Sequence, residues 1–259
     1  MGKVIFVTGT DTGAGKTLLT ALLLIHFRRR GNKAWAIKPF CSGLRTDAEL
    51  FYKIQERELG KEIVNPFHFP EPIAPLISSR KHRRRIELEE VVERIQFVQK
   101  QCEFLLVEGS GGLLVPLGEG YLVADVIKAL SCPVVVAARN KLGVINHTLL
   151  TTRILNRVSG FGMKVVLMDR ITSDLASETN QRILEEILGP IRVFRLPYCG
   201  KNVLRSGSFT AIQSVEKKLK KTLASIARMD TFFTLYESSG DKQQRETKNL
   251  LTVCRNKLT

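Results

Sequence analysis

Residues 4–17 have the most informative sequence of the chain, Val4-Ile5-Phe6-Val7-Thr8-Gly9-Thr10-Asp11-Thr12-Gly13-Ala14-Gly15-Lys16-Thr17. The apolar, β-branched start predicts a buried strand, and the Leu-rich residues that follow predict a helix. Glycines between a strand and a helix let backbone N–H groups approach phosphate oxygens. The stretch therefore predicts a phosphate-binding loop, in which Lys16 reaches the β- and γ-phosphates and the Thr17 hydroxyl ligates Mg²⁺.

This loop is a variant of the usual G-x-x-x-x-G-K-[ST] pattern. Thr10 stands where the pattern has its first glycine, and Gly9 lies one residue earlier. A glycine-rich turn without a ligand is the alternative interpretation. The strand and helix patterns on both sides of the loop favour the phosphate-binding one.

Apolar runs alternate with helical patterns along the rest of the chain, which is typical of an α/β fold. We predict a doubly wound, mostly parallel sheet of the P-loop NTPase type, with helices on both faces. Strands are predicted at 3–8, 33–37, 104–107, 133–137, 164–168 and 192–195. Helices are predicted at 16–29, 46–58, 87–101, 122–130, 146–158, 176–188 and 209–228. Ligands of such sheets bind at the carboxyl ends of the strands.

The composition indicates one sizeable core, since 44% of the 259 residues are hydrophobic and 25% are charged. We predict one domain over 1–228 and a polar, basic extension over 229–259 that is disordered or helical. No apolar run has the length of a membrane span, and no leader precedes the phosphate loop, so a cytoplasmic location without a membrane partner is expected. Five cysteines without a C-x-x-C pair argue against a disulfide framework and a zinc site.

The net charge of +15 is concentrated in three basic runs, at 28–30, 80–85 and 217–221. Such runs can bind nucleic acid or anionic lipid. No aromatic residues interleave them, as they do in single-strand binding surfaces. We therefore interpret them as solvated surface and expect no nucleic-acid partner.

Three further segments follow predicted strands and so belong to the same edge of the sheet. Lys38 can neutralise charge that develops on a transferred phosphoryl group, although a Lys-Pro pair is more often a turn. Glu108 is suited to a position near Mg²⁺, with a turn cap as the alternative. The segment 139–147 opens a helix whose free N–H groups suit a carboxylate, and Asn146 is alternatively its N-cap.

Together these motifs resemble the ATP-dependent dethiobiotin synthetase family. The family's Thr-Gly-Thr-Asp-Thr-x-x-Gly-Lys-Thr loop is present at 8–17, and its Lys-Pro-x-x-Ser/Thr-Gly motif at 38–43. Its Glu-Gly-Ala/Ser-Gly-Gly motif is present at 108–112, and its Lys-Leu-Gly-x-Ile-Asn-His motif at 141–147. The resemblance covers residues 3 to about 200, and the order of the motifs makes it specific.

The resemblance implies a ligase that carboxylates 7,8-diaminononanoate with CO₂ and closes a ureido ring, with ATP as co-substrate and Mg²⁺ as cofactor. It implies that Lys38 and Lys16 are catalytic and that Thr17, Asp47 and Glu108 bind the metal. The implied nucleotide-binding residues are Gly13, Ala14, Gly15, Lys16, Thr17, Leu18, Asp47, Glu108, Gly109, Ser110, Gly111, Asp169, Arg170, Pro197, Tyr198 and Cys199. The implied substrate contacts are Thr12 and Ser42 on one subunit and Leu142, Gly143, Val144 and Asn146 on the other, so the family implies a homodimer.

Asp169 departs from the family, which usually has an asparagine there that reads adenine. A carboxylate accepts hydrogen bonds and cannot donate one. We therefore predict a relaxed base preference, or one shifted toward guanine with its ring N–H and exocyclic amine.

Two other functions remain open at this point. A partitioning-type switch ATPase with a DNA or protein partner would share the loop and use the positive charge. It would normally carry an additional lysine where this chain has Thr10, Asp11 or Thr12. A non-catalytic nucleotide-binding relative is the second alternative, which the presence of Lys16 and Lys38 disfavours.

Overall fold

A computed structural model of the chain describes residues 2–200, 203 and 209–232. The strands in this part are β1 (Lys3–Gly9), β2 (Ala34–Ile37), β3 (Phe40–Ser42), β4 (Phe67–Phe69), β5 (Phe104–Glu108), β6 (Pro116–Gly118), β7 (Tyr121–Leu122), β8 (Val134–Arg139), β9 (Met163–Met168) and β10 (Val193–Leu196). The helices are α1 (Lys16–Arg28), α2 (Thr46–Ile54), α3 (Lys61–Val64), α4 (Pro75–Lys81), α5 (Leu88–Gln99), α6 (Val123–Leu130), α7 (Val144–Val158), α8 (Leu175–Leu188) and α9 (Phe209–Ala227).

The centre of the molecule is a parallel six-stranded sheet with the strand order β10-β9-β8-β1-β5-β2. All six predicted strands are present, and they form this sheet. The register pairs Val7 with Glu108 and Gly9 with Ala137. The loop after β1 therefore begins between the carboxyl ends of β5 and β8, which is where the doubly wound fold places ligands.

The sheet is covered on both faces, as the uniform apolar character of its strands predicts. Residues 134–138 of β8 are fully buried, and so are residues 105–107 of β5. Helix α1 packs against α2 and α9, while α5, α6, α7 and α8 pack side by side in chain order. These two rows of helices complete the doubly wound P-loop fold that the sequence predicts.

Several short elements were not predicted. Strands β3 and β4 pair in parallel beside the main sheet, and the rings of Phe40 and Phe67 stack with centroids 4.8 Å apart. Strands β6 and β7 form a small antiparallel pair. Such elements have too few residues for a period to be visible, and β3 and β4 depend on a contact between distant parts of the chain.

Several predicted helix boundaries differ from the observed ones by one to four residues, and two of these differences have a clear backbone cause. The helix predicted over 46–58 ends at Ile54, because Glu56 and Arg57 adopt left-handed backbone angles with φ of 55° and 62°. The helix predicted from 146 begins at Val144, after the N-cap Gly143 at φ 90°. Asn146 therefore lies in the first turn of α7 and is not its N-cap.

The last described helix, α9, is attached to the rest of the fold at two places. Glu216 is buried and accepts from Arg29 at 2.9 Å, and it lies 3.0 Å from Nδ1 of His26 on α1. Lys164 of β9 is fully buried, and its ammonium group donates to the carbonyls of Ser225, Ile226 and Arg228 at 2.6–3.1 Å. Lysine at the end of a helix satisfies carbonyls that have no partner within the helix.

The predicted C-terminal extension over 229–259 begins with a 3₁₀ helix, Met229–Thr231. Residues 233–259 lie outside the described part of the chain, so the proposed domain boundary stays a prediction. None of the helices that the structure describes is both long and apolar enough to span a membrane.

Candidate active site

The phosphate loop adopts the conformation that its glycines predict. Gly13 and Gly15 have φ of 71° and 99°, in the left-handed region that favours glycine. A Cβ atom on Gly15 would lie 2.9 Å from Cγ of Met168, the last residue of β9, so the loop rests directly on the end of that strand. Ala14 is buried and Leu18 is half-buried, so these two residues offer backbone groups rather than side chains.

Lys16 connects the phosphate loop to the glycine-rich loop after β5. Its ammonium group donates to the carbonyl of Asp11 at 3.0 Å and to that of Gly111 at 2.9 Å. A Cβ atom on Gly112 would lie 3.5 Å from the carbonyl oxygens of Gly9 and Thr10, which shows how closely the two loops approach.

Glu108 is the centre of a cluster of polar and charged groups from four elements. It is 1% exposed, and its Oε1 accepts from the Thr17 hydroxyl at 3.0 Å and from the Lys38 ammonium group. Lys38 also forms an ion pair with Asp47 at 3.1 Å. The structure thus brings Lys16, Thr17, Lys38, Asp47 and Glu108 to one end of the sheet.

Burial acts differently on the two lysines. It lowers the pKa of Lys16 to about 8, and repulsion from Lys38 adds to that shift. Burial also opposes the charge of Lys38, but attraction from Glu108 and Asp47 outweighs it and raises the pKa of Lys38 above its ordinary value. Lys38 therefore stays charged at all physiological pH values. The pKa of Lys16, in contrast, is close enough to physiological pH for this lysine to lose its proton in mildly alkaline solution.

The cluster has the donor set that a nucleotide-bound Mg²⁺ requires. Oε2 of Glu108 is buried and has no hydrogen-bond partner among the described residues. A buried carboxylate oxygen without a partner is costly unless a cation or water reaches it. The described residues contain no group of three or more His, Cys, Asp or Glu side chains that could hold a metal by themselves. The residues therefore fit an ion that takes most of its ligands from phosphate and water, as Mg²⁺ does.

The remaining residues around this cluster come from the two glycine-containing loops and from β3. Ser110 donates its hydroxyl to the carbonyl of Phe40 at 2.8 Å, so that hydroxyl has a protein partner. The hydroxyl of Ser42 is buried without a partner among the described residues. Thr12 is exposed, and its Oγ1 lies 3.6 Å from where a Cβ atom of residue 111 would be. Gly109 packs against the ring of Phe6.

The segment predicted to bind a substrate carboxylate makes its described polar contact with α8 and its N-cap, not with this cluster. Leu142 is 79% exposed, and its N–H donates to Asp174 at 3.4 Å. Gly143 is the N-cap of α7, and Val144 is buried in its first turn beside Asn146. Within the described part of the chain, no hydrogen bond or ion pair joins residues 142–146 to the Lys38–Glu108 cluster.

Asp169 belongs to a second polar network, at the ends of β8, β9 and β10. Nε of Arg195 donates to both of its carboxylate oxygens, at 2.9 and 2.8 Å. Asn140 is buried and donates to Asp169 at 2.8 Å and to the carbonyl of Ser177 at 3.0 Å. Asn180 donates to the side-chain oxygen of Asn140 at 2.9 Å.

The other predicted nucleotide-binding residues in this region follow the same strands, with Arg170 after β9 and Pro197, Tyr198 and Cys199 after β10. Arg170 lies 4.0 Å from Asp174 in an exposed ion pair. Tyr198 is 38% exposed. Cys199 donates its thiol to the carbonyl of Pro197 at 3.1 Å.

Sequence reasoning missed two cationic side chains at this edge. Arg195 was not singled out, because an arginine inside a predicted strand has no local signal. Arg139 ends β8, and its Nη2 lies 3.4 Å from where a Cβ atom of Gly13 would be.

The basic run at 80–85 lies elsewhere and is extensively paired. Arg80 forms two contacts with Glu119 at 2.7 and 2.9 Å, Lys81 and His82 both contact Glu71, and Arg85 pairs with Glu87.

Known proteins are similar to this chain over most of its length. A family model described as an AAA domain matches residues 3–201. The chain is 34% identical over 210 residues to the ATP-dependent dethiobiotin synthetase of Thermodesulfovibrio yellowstonii, covering 74% of this chain and 88% of the relative. It is 35% identical over 191 residues to the protein of the same name from Bacillus subtilis (strain 168), covering 71% and 82%.

A solved structure supports the fold. The septum site-determining protein MinD from Pyrococcus horikoshii, complexed with Mg-ADP, superposes with a TM-score of 0.55 and covers 88% of this chain and 95% of its own. At 14% identity this likeness concerns the fold alone.

The fold and the loop at residues 8–17 define a nucleotide-binding protein of the P-loop NTPase class. Within that class, the extent and level of identity to named relatives are decisive. The chain belongs to the ATP-dependent dethiobiotin synthetase family.

Proposed function

We propose that this protein is an ATP-dependent dethiobiotin synthetase, a ligase of biotin biosynthesis. One amine of 7,8-diaminononanoate adds to CO₂ and loses a proton, which gives a carbamate. A carbamate oxygen then attacks the γ-phosphorus of ATP, and ADP leaves. The second amine attacks the carbon of the resulting carbamic-phosphoric anhydride, and phosphate leaves as the ureido ring closes.

The difficult step joins two anions, and the two lysines suit it. An anionic carbamate and an anionic phosphate repel each other, so catalysis needs fixed positive charge where they meet. Lys16 and Lys38 supply that charge as the catalytic residues. Lys38 is held between Glu108 and Asp47, so its position is set by the protein. The N–H groups at 13–18 and the loop at 109–111 receive the phosphates.

Mg²⁺ is proposed as the cofactor, and Thr17, Asp47 and Glu108 are proposed to hold it together with the phosphates. When bound, it neutralises phosphate charge. The unpartnered Oε2 of Glu108 supports this assignment, because a cation there would satisfy a buried carboxylate oxygen.

The substrate contacts are proposed to come from two subunits. Thr12 borders the glycine-rich loop at Gly111, and Ser42 ends β3, which follows Lys38 in the chain. No hydrogen bond or ion pair among the described residues joins Leu142, Gly143, Val144 or Asn146 to the Lys38–Glu108 cluster. A homodimer in which the N-terminus of α7 reaches the partner's cluster would place free N–H groups at the substrate carboxylate. The exposed Leu142 and the exposed Leu175 nearby on α8 are apolar surface suited to such an interface. The proposal assigns the enzyme to the cytoplasm.

The observation that carries the proposal is the Glu108 carboxylate between the Thr17 hydroxyl and the Lys38 ammonium group, at the mouth of the phosphate loop. The test is incubation of the protein with diaminononanoate, bicarbonate, Mg²⁺ and ATP, with dethiobiotin measured by mass spectrometry and phosphate release measured in parallel. We expect dethiobiotin from the natural protein and at least about a hundredfold less from Lys38→Met.

The matched control is Lys53→Met, which removes an exposed lysine on α2. It should leave the rate unchanged. Thermal melting and ADP binding establish that Lys38→Met is folded. Phosphate release that is independent of diaminononanoate, with no dethiobiotin, would instead support a switch ATPase.

The dimer is tested by mixing two inactive variants. Lys38→Met disables one half of the proposed site, and Asn146→Asp places a negative charge beside the substrate carboxylate in the other half. If each site uses both subunits, random reassortment restores about a quarter of the natural activity, because half of the dimers are mixed and each has one intact site. No recovery after verified subunit exchange contradicts a shared site.

A further inference from the structure

The layout of the sheet edge determines where a nucleoside lies relative to the phosphate loop. The loop follows β1, and the cluster of Lys38, Asp47 and Glu108 lies on one side of it, by the ends of β5 and β2. A triphosphate whose γ-phosphate meets that cluster extends its nucleoside to the other side, over the ends of β8, β9 and β10. Met168 contacts the loop at Gly15, so the residues after it are next to that path.

At that place, the carboxylate of Asp169 is already occupied by protein donors. Arg195 donates to both oxygens, and Asn140 donates to one of them. The single Nε–H of Arg195 is shared between the two oxygens, so two protein N–H groups take up part of the capacity of Asp169 to accept from the ring N–H and exocyclic amine of guanine. This argues against the simple prediction that Asp169 itself reads the base.

Arg195, in contrast, has N–H groups that are available to donate hydrogen bonds to a ligand. Its Nε binds Asp169, while its two terminal nitrogens make no hydrogen bond to any described residue. The side chain is 35% exposed, and the bond to Asp169 fixes its orientation. A guanidinium group only donates hydrogen bonds, so it matches an oxygen on the base and opposes an amino group.

We propose that Arg195, oriented by Asp169, is a specificity-determining residue that favours purine nucleotides with an oxygen at position 6 over adenine nucleotides. This inference rests on the proposed function only in placing a nucleoside polyphosphate on the loop. Arg195 contacts the base, and Asp169 acts as the residue that positions it.

Inosine nucleotides separate this proposal from direct reading by Asp169. Inosine has the 6-oxygen of guanine but lacks its 2-amino group. Reading by Arg195 predicts that IDP binds about as tightly as GDP and more tightly than ADP. Reading by Asp169 predicts that GDP binds much more tightly than IDP, because the 2-amino group supplies a donor to the carboxylate.

The experiment is calorimetric binding of ADP, IDP and GDP with Mg²⁺ to the natural protein and to Arg195→Gln. In Arg195→Gln we expect the preference for IDP over ADP to fall about tenfold, the value of one hydrogen bond to a charged group. Asp169→Asn should lower the preference for IDP over ADP by a smaller factor than Arg195→Gln does. This variant keeps Arg195 and removes only the carboxylate that orients it. Arg182→Gln, which removes an exposed arginine on α8, should leave the preference unchanged.

Three results would overturn the proposal: binding of IDP by the natural protein that is no tighter than binding of ADP, tenfold tighter binding of GDP than of IDP, or an unchanged preference in folded Arg195→Gln. If that variant does not fold, the natural protein alone decides through the first two comparisons. Because diphosphates test binding without turnover, a failure here is distinct from a failure to form dethiobiotin.

Discussion

The carboxyl edge of the sheet has two sides, a first one beside β5 that contains Glu108 and a second one beside β9 that contains Asp169. The carboxylates on these two sides find hydrogen-bond partners in different ways. Beside β5, Glu108 is buried, uses one oxygen for Thr17 and Lys38, and has no described partner for the other. Beside β9, both oxygens of Asp169 accept from protein donors, and the spare groups are the terminal nitrogens of Arg195. The first side therefore suits a cation with phosphate, and the second suits a base with hydrogen-bond acceptors, as proposed above.

The largest expected effect is on the first side. Glu108→Gln removes the charge opposite Lys38 and leaves that buried ammonium group with the half-exposed Asp47. Because a buried charge without its partner is costly, we expect the free energy of unfolding to fall by about 3 kcal/mol in urea denaturation.

Two further variants sharpen that result. Asp47→Asn should cost less than about 1 kcal/mol, since its carboxylate is 38% exposed. The double variant Lys38→Met with Glu108→Gln should recover most of the stability and none of the activity. Equal losses for Glu108→Gln and Asp47→Asn would contradict the central role of Glu108.

A somewhat smaller effect is expected on the second side, from Asn140→Ala. Asn140 is 1% exposed and contacts Asp169, Ser177 and Asn180 through its side chain. Its loss leaves buried polar groups unpaired, so we expect a loss of about 2 kcal/mol in the same denaturation experiment. Asn32→Ala, which removes a single contact to the carbonyl of Phe27, is the control. Equal losses of unfolding free energy in the two variants would show that the hydrogen bonds of Asn140 stabilise the fold no more than the single contact of Asn32.

The pH dependence of nucleotide binding tests Lys16. The pKa of Lys16 is about 8 when no nucleotide is bound. Bound phosphates should raise this pKa, because their negative charge favours the ammonium form. The complex then holds more protons than the free protein above pH 8, so affinity falls as pH rises. We expect the Kd for ADP to rise about tenfold between pH 7 and pH 9, with proton uptake visible in calorimetry.

Lys16→Arg is the comparison for that experiment, because arginine stays charged over this range. Its affinity should not depend on pH in the same window. The stability of the free protein should show the opposite dependence on pH. The folded state binds the proton of Lys16 less tightly than the unfolded chain does, because the pKa is lowered from 10.5 to about 8. Lys16 therefore makes the free energy of unfolding rise between pH 8 and 10.5. A pH-independent Kd for the natural protein would contradict the lowered pKa.

The smallest effect is expected far from both sides, in the basic run at 80–85. Arg80 and Glu119 form an exposed pair, in which solvent screens the attraction. Arg80→Ala should leave the melting temperature and the rate of dethiobiotin formation unchanged. A clear loss of either would show that this run does more than cover the surface.

The first side of the edge was largely predictable from the sequence, and the second was not. The buried strands and the loop at 8–17 are local patterns, and strands that are parallel must bring their carboxyl ends together. Lys38 and Glu108, 70 residues apart, could therefore be placed near each other. The roles of the individual residues came from the family resemblance and stay proposals.

Arg195 escaped prediction for a physical reason. Its partner Asp169 is 26 residues away, directly after the neighbouring strand β9, and neither residue belongs to a periodic pattern that indicates the pair. The pairing of Phe40 with Phe67 was missed for the same reason, as was the early end of α2, which depends on two residues in the left-handed region. Such features depend on tertiary contacts that a single sequence does not display.

The attachment of α9 has a consequence for how the protein opens. The ends of helices usually fray, and their amide hydrogens exchange quickly with solvent. Here the end of α9 is held by Lys164 from inside the sheet, and its middle is held by His26 and Arg29 through Glu216. To detach the helix, the chain must expose a buried lysine and a buried glutamate together. Hydrogen exchange in α9 should therefore proceed at the rate of β9, so that the helix and the sheet open as one cooperative unit.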